Sequence, residues 1–501
     1  MTAKSNPVTK GSKSRILLFN TMGRKLEKFV PIEKGVVRMY SCGPTVYSYP
    51  HMGNMFAYIF VDLLRRTLEY NKYRVISVRN ITDVGHLTSQ ADAGEDKMEK
   101  EAQKEHKTAY EIAKFYEDAF FRYCDALNCL RPAVSPRATE HIKEMVSLVG
   151  ELERKGYTYK IDDGIYYDSS NFKEYGALTG MNFEQLNHYL IFGERVETVL
   201  GKKHVTDFAL WKFSPKDAKR QMEWDSPWGV GFPGWHIECS AMSMKYLGET
   251  FDIHTGGVDH IPIHHTNEIA QSEGATGKKF VNYWMHNEFV LVDGKKMAKS
   301  AGNFFTLDDL LKKGYAWRDI RYLLISVHYR SQPNITDKSL EGAGGAVKRL
   351  SDFITRLGNA ESMKPDDKEA KRAIEEAKDS FIRSINTDLN MPEALKAVFT
   401  MVNTVNKLID KKGLSKRGAK SVLKALLSFD RVLGLRLDEF ADMANGKLDP
   451  VVEKLVKLRK EARKNGNYAF ADEIRKRLKD EYGIDVEDTG NGEVIKKAAN
   501  N

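Results

Sequence analysis

The sequence predicts an α/β protein: a parallel-sheet domain carrying an insertion, then an α-helical bundle and a small C-terminal domain. Three observations carry this. First, residues 36–40 are apolar and β-prone, and Met55, Ile59, Leu63 and Tyr70 then fall on one helix face, before a second apolar strand at residues 74–79. Strand, helix, strand in that order is a parallel βαβ unit. Second, the pattern changes over residues 131–205, where an amphipathic helix (141–155) leads into short strands around Asp162-Asp163-Gly164. Third, after Gly345 the apolar residues recur at helical spacing.

Composition narrows the class. At 501 residues there is room for three or four domains and a sizeable core. No apolar run reaches the roughly 18 residues a membrane-crossing helix needs, so no membrane partner is expected. Residues 1–14 are polar and basic without an apolar centre, which reads as a disordered leader rather than a secretory signal. The four cysteines, at 42, 124, 129 and 239, do not make a disulfide framework; they fit a reducing cytoplasm with thiols available to metal. The net charge of +9 suits a polyanionic partner.

In chain order, residues 16–19 and 36–40 read as opening strands, and the strand at 74–79 ends at Asn80-Ile81-Thr82-Asp83. The charge run 90–111 reads as a solvated helix face, and 112–127 carries aromatics at helical spacing. Residues 206–292 are expected to return to the parallel-sheet domain begun at 15–130. There 251–254 is a short strand, Gly256-Gly257 a turn, and 280–292 a strand that delivers a lysine-rich loop. Residues 293–345 hold that loop and a connecting region. Stripes at Leu350, Phe353, Ile354 and Leu357, at Leu395, Phe399, Val402 and Leu408, and at Val422, Leu426 and Leu433 define a bundle over 346–445, punctuated by Pro392 and Gly413. In 446–501, a basic helix turns Leu455, Leu458 and Ala462 inward, and a second helix covers 468–482 after Asn465-Gly466.

The turn at residues 40–54, Y-S-C-G-P-T-V-Y-S-Y-P-H-M-G-N, organises the rest. It joins strand to helix, where open α/β sheets bind ligands. His51-Met52-Gly53-Asn54 lies where the helix begins, and exposed N–H groups with the helix dipole favour phosphate there. Gly53 lets a ligand approach the backbone, and His51 can donate to a phosphate oxygen. Cys42 adds a soft metal ligand. Alone, H-x-G-N also reads as a turn with an ordinary capping Asn. Downstream stand Asp293-Gly294-Lys295-Lys296-Met297-Ala298-Lys299-Ser300, and Cys239 followed by His264 and Glu268.

Together these motifs resemble the class I aminoacyl-tRNA synthetases, and specifically the cysteinyl-tRNA synthetases, over residues 16–494. The resemblance implies a Rossmann-like catalytic domain, a connective-peptide insertion at 131–205, a K-M-S-K-S loop with stem-contact region at 293–345, a tRNA-binding bundle and a C-terminal anticodon-binding region. Ala298 stands where that loop has serine, removing a hydroxyl but neither lysine. Residues 258–263, V-D-H-I-P-I, and Gly85-His86 also depart from the family pattern.

Two cysteines with a nitrogen donor suit zinc. His254, His260 and His265 offer further imidazoles. His264 and Glu268 are four apart, on one helix face. Pro262 belongs at a helix start, which leaves His260 outside, and His265 points about 100° away from His264. Cys124 and Cys129 read as buried apolar groups. In the family, the residues matching Cys42, Cys239, His264 and Glu268 bind one zinc ion, which separates cysteine from the nearly isosteric serine by its affinity for thiolate. Trp235 reads equally as a wall of that pocket and as a core aromatic. A thiol filter also removes the need for an editing domain, and the insertion is short for one.

The implied chemistry is attack of the cysteine carboxylate on the α-phosphorus of ATP, supplied with Mg2+, then transfer of the cysteinyl group to the terminal ribose of tRNA(Cys). His51 and Asn54 would hold phosphate, and Lys296 and Lys299 would neutralise the leaving pyrophosphate. Gly43, Thr45, Gly53, Gly257 and Asp259 are expected at ATP, and Thr82 with Trp235 at the amino acid. The expected partners are tRNA(Cys), L-cysteine and ATP, with the chain a cytoplasmic monomer. Two other readings stand beside this: a tRNA-independent cysteine ligase, against which residues 347–497 argue, and a non-catalytic zinc protein that binds RNA, against which His51 and the two lysines argue.

Overall fold

The computed structural model describes residues 15–85, 96–192, 199–215, 220–297, 302–360, 362, 367–444, 450–482, 484–489 and 492–497. The chain divides into two compact units. One comprises residues 1–307, 324–335 and 380–395; the other comprises 308–323, 336–379 and 396–501.

The first unit is built on a four-stranded parallel sheet in the order Val281–Asn287, Phe251–Gly257, Val36–Ser41, Arg74–Arg79. The helix Met52–Tyr70 makes the crossover between the last two. It is buried on nearly every side, through Met55, Phe56, Ile59, Phe60, Leu64 and Leu68, which explains why its sequence is apolar beyond one stripe. The chain leaves the central strand Val36–Ser41 to one side and later returns to its other side with Phe251–Gly257. The carboxyl ends of these two strands therefore flank a topological switch point, where such sheets hold ligands. Residues 133–137 run along the edge strand Arg74–Arg79, so that edge is covered.

The opening strand is not part of this sheet. Leu17–Asn20 pairs antiparallel with Lys25–Lys28 as a separate hairpin. Its Leu18, with Ile16 just before the strand, instead packs with Met39, Leu64, Met285 and Tyr329.

The inserted region forms a four-stranded antiparallel sheet, Thr158–Ile161, Gly164–Tyr167, Phe208–Phe213 and Gly231–Pro233. Two of these strands lie in the 206–292 stretch that the sequence assigns to the parallel-sheet domain. They pair with the inserted strands because Tyr167, Phe208, Leu210 and Trp211 share one core with the helix Ile142–Arg154. The chain rejoins the parallel layer with the helix Trp235–Leu247.

In the second unit the bundle stripes are buried: Leu350, Phe353, Ile354 and Leu357, then Val402 and Leu408, then Val422, Leu426 and Leu433. Its first helix begins before Gly345, at Asp337, closed by a reciprocal cap between Thr336 and Ser339. The helix runs through Gly344, where a Cβ would come 3.3 Å from the Asp319 carboxylate. Arg321 donates to the carbonyl of Leu433 and Arg318 to that of Leu435, satisfying a helix C-terminus. The C-terminal helices are Pro450–Lys464 and Tyr468–Tyr482. Leu455 and Ala462 are buried there, but Leu458 is exposed, a correction to its inward assignment. A hairpin follows, Ile484–Thr489 with Gly492–Lys497, and lays Ile484 and Val486 on Val452, Leu455, Ile474 and Leu478.

Candidate metal and nucleotide site

Cys42 follows the central strand, and its backbone N–H donates to the carbonyl of Thr255 on the neighbouring strand. Cys239 lies on the helix Trp235–Leu247, and His264 and Glu268 on the helix His264–Thr276, one turn apart. The four ligand atoms lie within 4.8 Å of one another. His264 Nε2 is 3.0 Å from Glu268 Oε1, and Cys42 Sγ is 3.9 Å from the same oxygen. Cys239, His264 and Glu268 are buried, and Cys42 half-buried.

Two sulfurs, an imidazole and a carboxylate converge here, and each shifts the titration of its neighbours. Burial, with Cys239 beside it, pushes the Cys42 thiol well above its ordinary range. Cys239 moves down because Cys42 gives it a hydrogen bond. Burial alone would lower His264, but Glu268 and Cys239 outweigh it and push His264 up to about 10. Glu268 is held below the usual carboxylate range, since His254 and His264 overcome its burial. Two thiols, an imidazole and a carboxylate that share protons so closely are a donor set that would suit a soft cation.

Two sequence expectations change here. The helix begins at His264, two residues after Pro262, and His260 does lie outside it in a 3-10 turn. Yet the His260 ring stands 5.0 Å from that of His264 and 5.1 Å from that of His265. His265 is not turned away: its Nε2 lies 3.3 Å from Cys42 Sγ. His254, on the strand Phe251–Gly257, places Nε2 2.8 Å from Glu268 Oε2. Cys42, His254, His265 and Glu268 thus form a second convergent set sharing two members with the first. Helical spacing could not reveal it, because His254 arrives from another element and Glu268 has two oxygens to offer.

Trp235 is half-buried, its ring 4.3 Å from that of His264 and 6.1 Å from that of His260. Thr82 is buried, and its hydroxyl donates to Glu238 Oε2 at 2.8 Å. Thr45 bridges to Thr82 across the loop. The Gly43 N–H donates to Asn80 Oδ1 at 2.7 Å. Gly257 ends its strand, and Asp259 stands exposed in the turn beyond.

His51 is the N-cap of the helix Met52–Tyr70. The Asn54 N–H donates to His51 Nδ1 at 3.2 Å, and the His51 N–H donates to Asn54 Oδ1 at 3.1 Å. The capping Asn and the histidine are one device. With Nδ1 accepting, the ring proton sits on Nε2, which makes that nitrogen the donor. A Cβ at Gly53 would lie 2.9 Å from the His51 ring. No acidic side chain occupies the first turn, so the positive helix end is left for an anion.

Leu291–Val292 pairs with Lys295–Lys296 as a hairpin turning at Asp293-Gly294, both left-handed. Lys296 is exposed, its Nζ 3.8 Å from the centre of the Phe289 ring. Lys299 and Ala298 lie outside the described residues, as do His86 and the leader 1–14.

A family model described as tRNA synthetases class I (C) catalytic domain matches residues 28–344, and a DALR domain model matches 380–438. The fold is similar to that of Mycobacterium tuberculosis methionyl-tRNA synthetase in complex with methionyl-adenylate, with a TM-score of 0.58 at 15% identity over 87% of this chain and 96% of that one. It is also similar to Agrobacterium radiobacter K84 agnB2 LeuRS in its ternary complex with tRNA and LeuAMS, with a TM-score of 0.57 at 10% identity over 83% of this chain and 85% of that one. The fold is thus that of the class I aminoacyl-tRNA synthetases. Sequence narrows the class. The cysteine–tRNA ligase of Treponema denticola is 44% identical over 96% of this chain and 99% of its own length. Cysteine–tRNA ligase 1 of Burkholderia lata is 46% identical over 95% and 96%, and the Thermococcus onnurineus enzyme 41% over 96% and 99%. The chain belongs to the cysteine–tRNA ligase family.

Proposed function

We propose that this ATP-dependent ligase joins L-cysteine to tRNA(Cys) through a cysteinyl-adenylate, and that Cys42, Cys239, His264 and Glu268 hold a zinc ion. The carrying observation is the buried convergence of two thiols, an imidazole and a carboxylate at the sheet's switch point. Zinc held there would supply a thiophilic Lewis acid that favours the thiolate of cysteine over the hydroxyl of serine.

The chain's own residues supply the rest. Trp235 walls the pocket beside His264 and limits water. The helix end at His51–Asn54 receives ATP phosphate, with the His51 Nε2 proton as donor. Lys296 closes on the β- and γ-phosphates, supplied with Mg2+, and neutralises charge on departing pyrophosphate; Lys299 shares that work. Gly43 contributes shape rather than its N–H, which Asn80 holds. Gly53, Thr45, Gly257 and Asp259 line the nucleotide side. The helical bundle and C-terminal region read single-stranded bases of the tRNA. No described helix is long and apolar enough to cross a membrane. We assign the enzyme to the cytoplasm as a monomer, which sedimentation would test.

The deciding experiment is charging of a tRNA(Cys) transcript with labelled cysteine against serine, in protein of measured metal content. Ester-linked cysteine with serine rejected is expected. Activation without charging would support a tRNA-independent ligase, and no activation by metal-loaded protein would overturn the reading.

A further inference from the structure

Asn80, at the end of the strand Arg74–Arg79, is 1% exposed, and both polar atoms of its side chain are used. Its Oδ1 accepts from the Gly43 N–H at 2.7 Å and faces Cys239 Sγ at 3.8 Å. Its Nδ2 donates to Thr82 Oγ1 at 3.1 Å. Having accepted there, Thr82 directs its own proton to Glu238 Oε2 at 2.8 Å. Glu238 directly precedes Cys239, and Gly43 directly follows Cys42. A chain of hydrogen bonds thus runs from one thiol-bearing segment to the other, with a single carboxamide at its middle.

The amide has one workable orientation. Reversed, it would set N–H against the Gly43 N–H and would draw the Thr82 proton away from Glu238. The contact is also closed sterically, since a Cβ at Gly43 would lie 1.5 Å from the backbone carbonyl oxygen of Asn80 and 3.3 Å from its Oδ1. Only glycine lets the backbone settle on Asn80 this closely. The geometry matters because the two cysteines come from different layers, one from a strand end and one from a helix. A cysteine side chain has one adjustable torsion, so the spacing of the sulfurs follows the spacing of the two backbones.

We infer that Asn80 is a positioning residue that fixes the two thiols at the separation one metal ion requires, an inference that rests on the reading of Cys42 and Cys239 as ligands. Partners that orient metal ligands typically contribute 10–100-fold in metal affinity. Thr82 belongs to the same relay, which accounts for the burial of a hydroxyl expected to face the amino acid.

The test uses the full chain stripped of metal by chelation and titrated with Co(II), with the thiolate-to-cobalt absorption band as the readout beside the KM values for cysteine and ATP. Asn80→Ala is expected to weaken Co(II) binding about 10–100-fold and to raise the cysteine KM with the ATP KM unchanged. Thr82→Val should show a smaller loss in the same direction, and Thr82→Ser, which keeps the hydroxyl, should restore it. If Asn80→Ala does not fold, the Thr82 pair decides. Co(II) bound as tightly by Asn80→Ala, or by Thr82→Val, as by the unaltered chain would overturn the inference, even if both variants melt earlier. An unaltered chain without the cobalt band would instead overturn the ligand reading beneath it, and the inference with it.

Discussion

The proposed metal cluster and the lysine hairpin belong to the same unit, yet they are built on opposite principles. Each cluster member is fixed by at least one partner: Glu268 by His254 and His264, His264 by His236, Cys42 by His265 and Cys239 by Asn80. Lys296 stands exposed on a two-residue strand and rests on one aromatic face. A site that discriminates by coordination has to be rigid before substrate arrives. A group that meets charge arising during the reaction, and then lets product go, has to be able to move. The comparison therefore predicts that cluster variants change what is bound, whereas hairpin variants change how fast it reacts.

The largest expected effect breaks the cluster. Cys239→Ala should lower metal content from about one ion per chain towards none and reduce cysteine activation by more than about 100-fold. Metal analysis and pyrophosphate exchange would measure both. Cys124→Ala is the contrasting case, because that thiol is buried beside Arg79 and burial pushes it up to about 11; metal content should not change. Lys296→Ala comes next. Metal content and cysteine KM should hold while the activation rate drops on the order of 100-fold, with partial recovery in Lys296→Arg. A matching loss of metal would erase the distinction between the two regions.

The two regions were also unequally legible in the sequence. His264 and Glu268 follow from helical spacing once a helix is granted, and the second helix of the C-terminal region was read with its observed bounds, Tyr468–Tyr482. His254 does not, because strand register decides whether it reaches Glu268; His265 shares the helix with Glu268, but its approach to Cys42 depends on where the central strand ends. Residues 206–292 read as part of the parallel-sheet domain, but that reading does not say that Phe208–Phe213 and Gly231–Pro233 join the antiparallel sheet, because an apolar strand does not say which sheet it joins. The C-terminal hairpin was missed although Ile484 and Val486 alternate with Asp485 and Glu487, since a stretch so charged shows little of the β-propensity that marks a strand.

A smaller effect separates structure from chemistry at His51. His51→Ala removes the cap and should cost about 1 kcal/mol of stability as well as slowing activation. His51→Asn restores a capping side chain but not a ring N–H at the same reach. It should regain the melting temperature without regaining the rate. Recovery of both would make His51 a capping residue alone.

The smallest effect lies outside both regions, at Asp83, buried just beyond the strand Arg74–Arg79. Its carboxylate accepts from the Thr139 N–H and hydroxyl, yet burial outweighs those bonds and raises it to about 6, with Glu238 adding to the rise. Below the unfolded value, near 4, both states carry the proton and the favourable contribution is complete. Between about 4 and 6 the folded state binds more protons than the unfolded one, so stability falls as pH rises, and above 6 the loss is complete. Asp83→Asn should flatten that slope and stabilise the protein at neutral pH by about 1 kcal/mol, once part of the shift is assigned to the burial that asparagine also undergoes. Thermal melts at pH 4.5 and 7 would measure this. Metal content should not move, because Asp83 is no part of the cluster; a change in it would mean that Asp83 and the cluster titrate as one body.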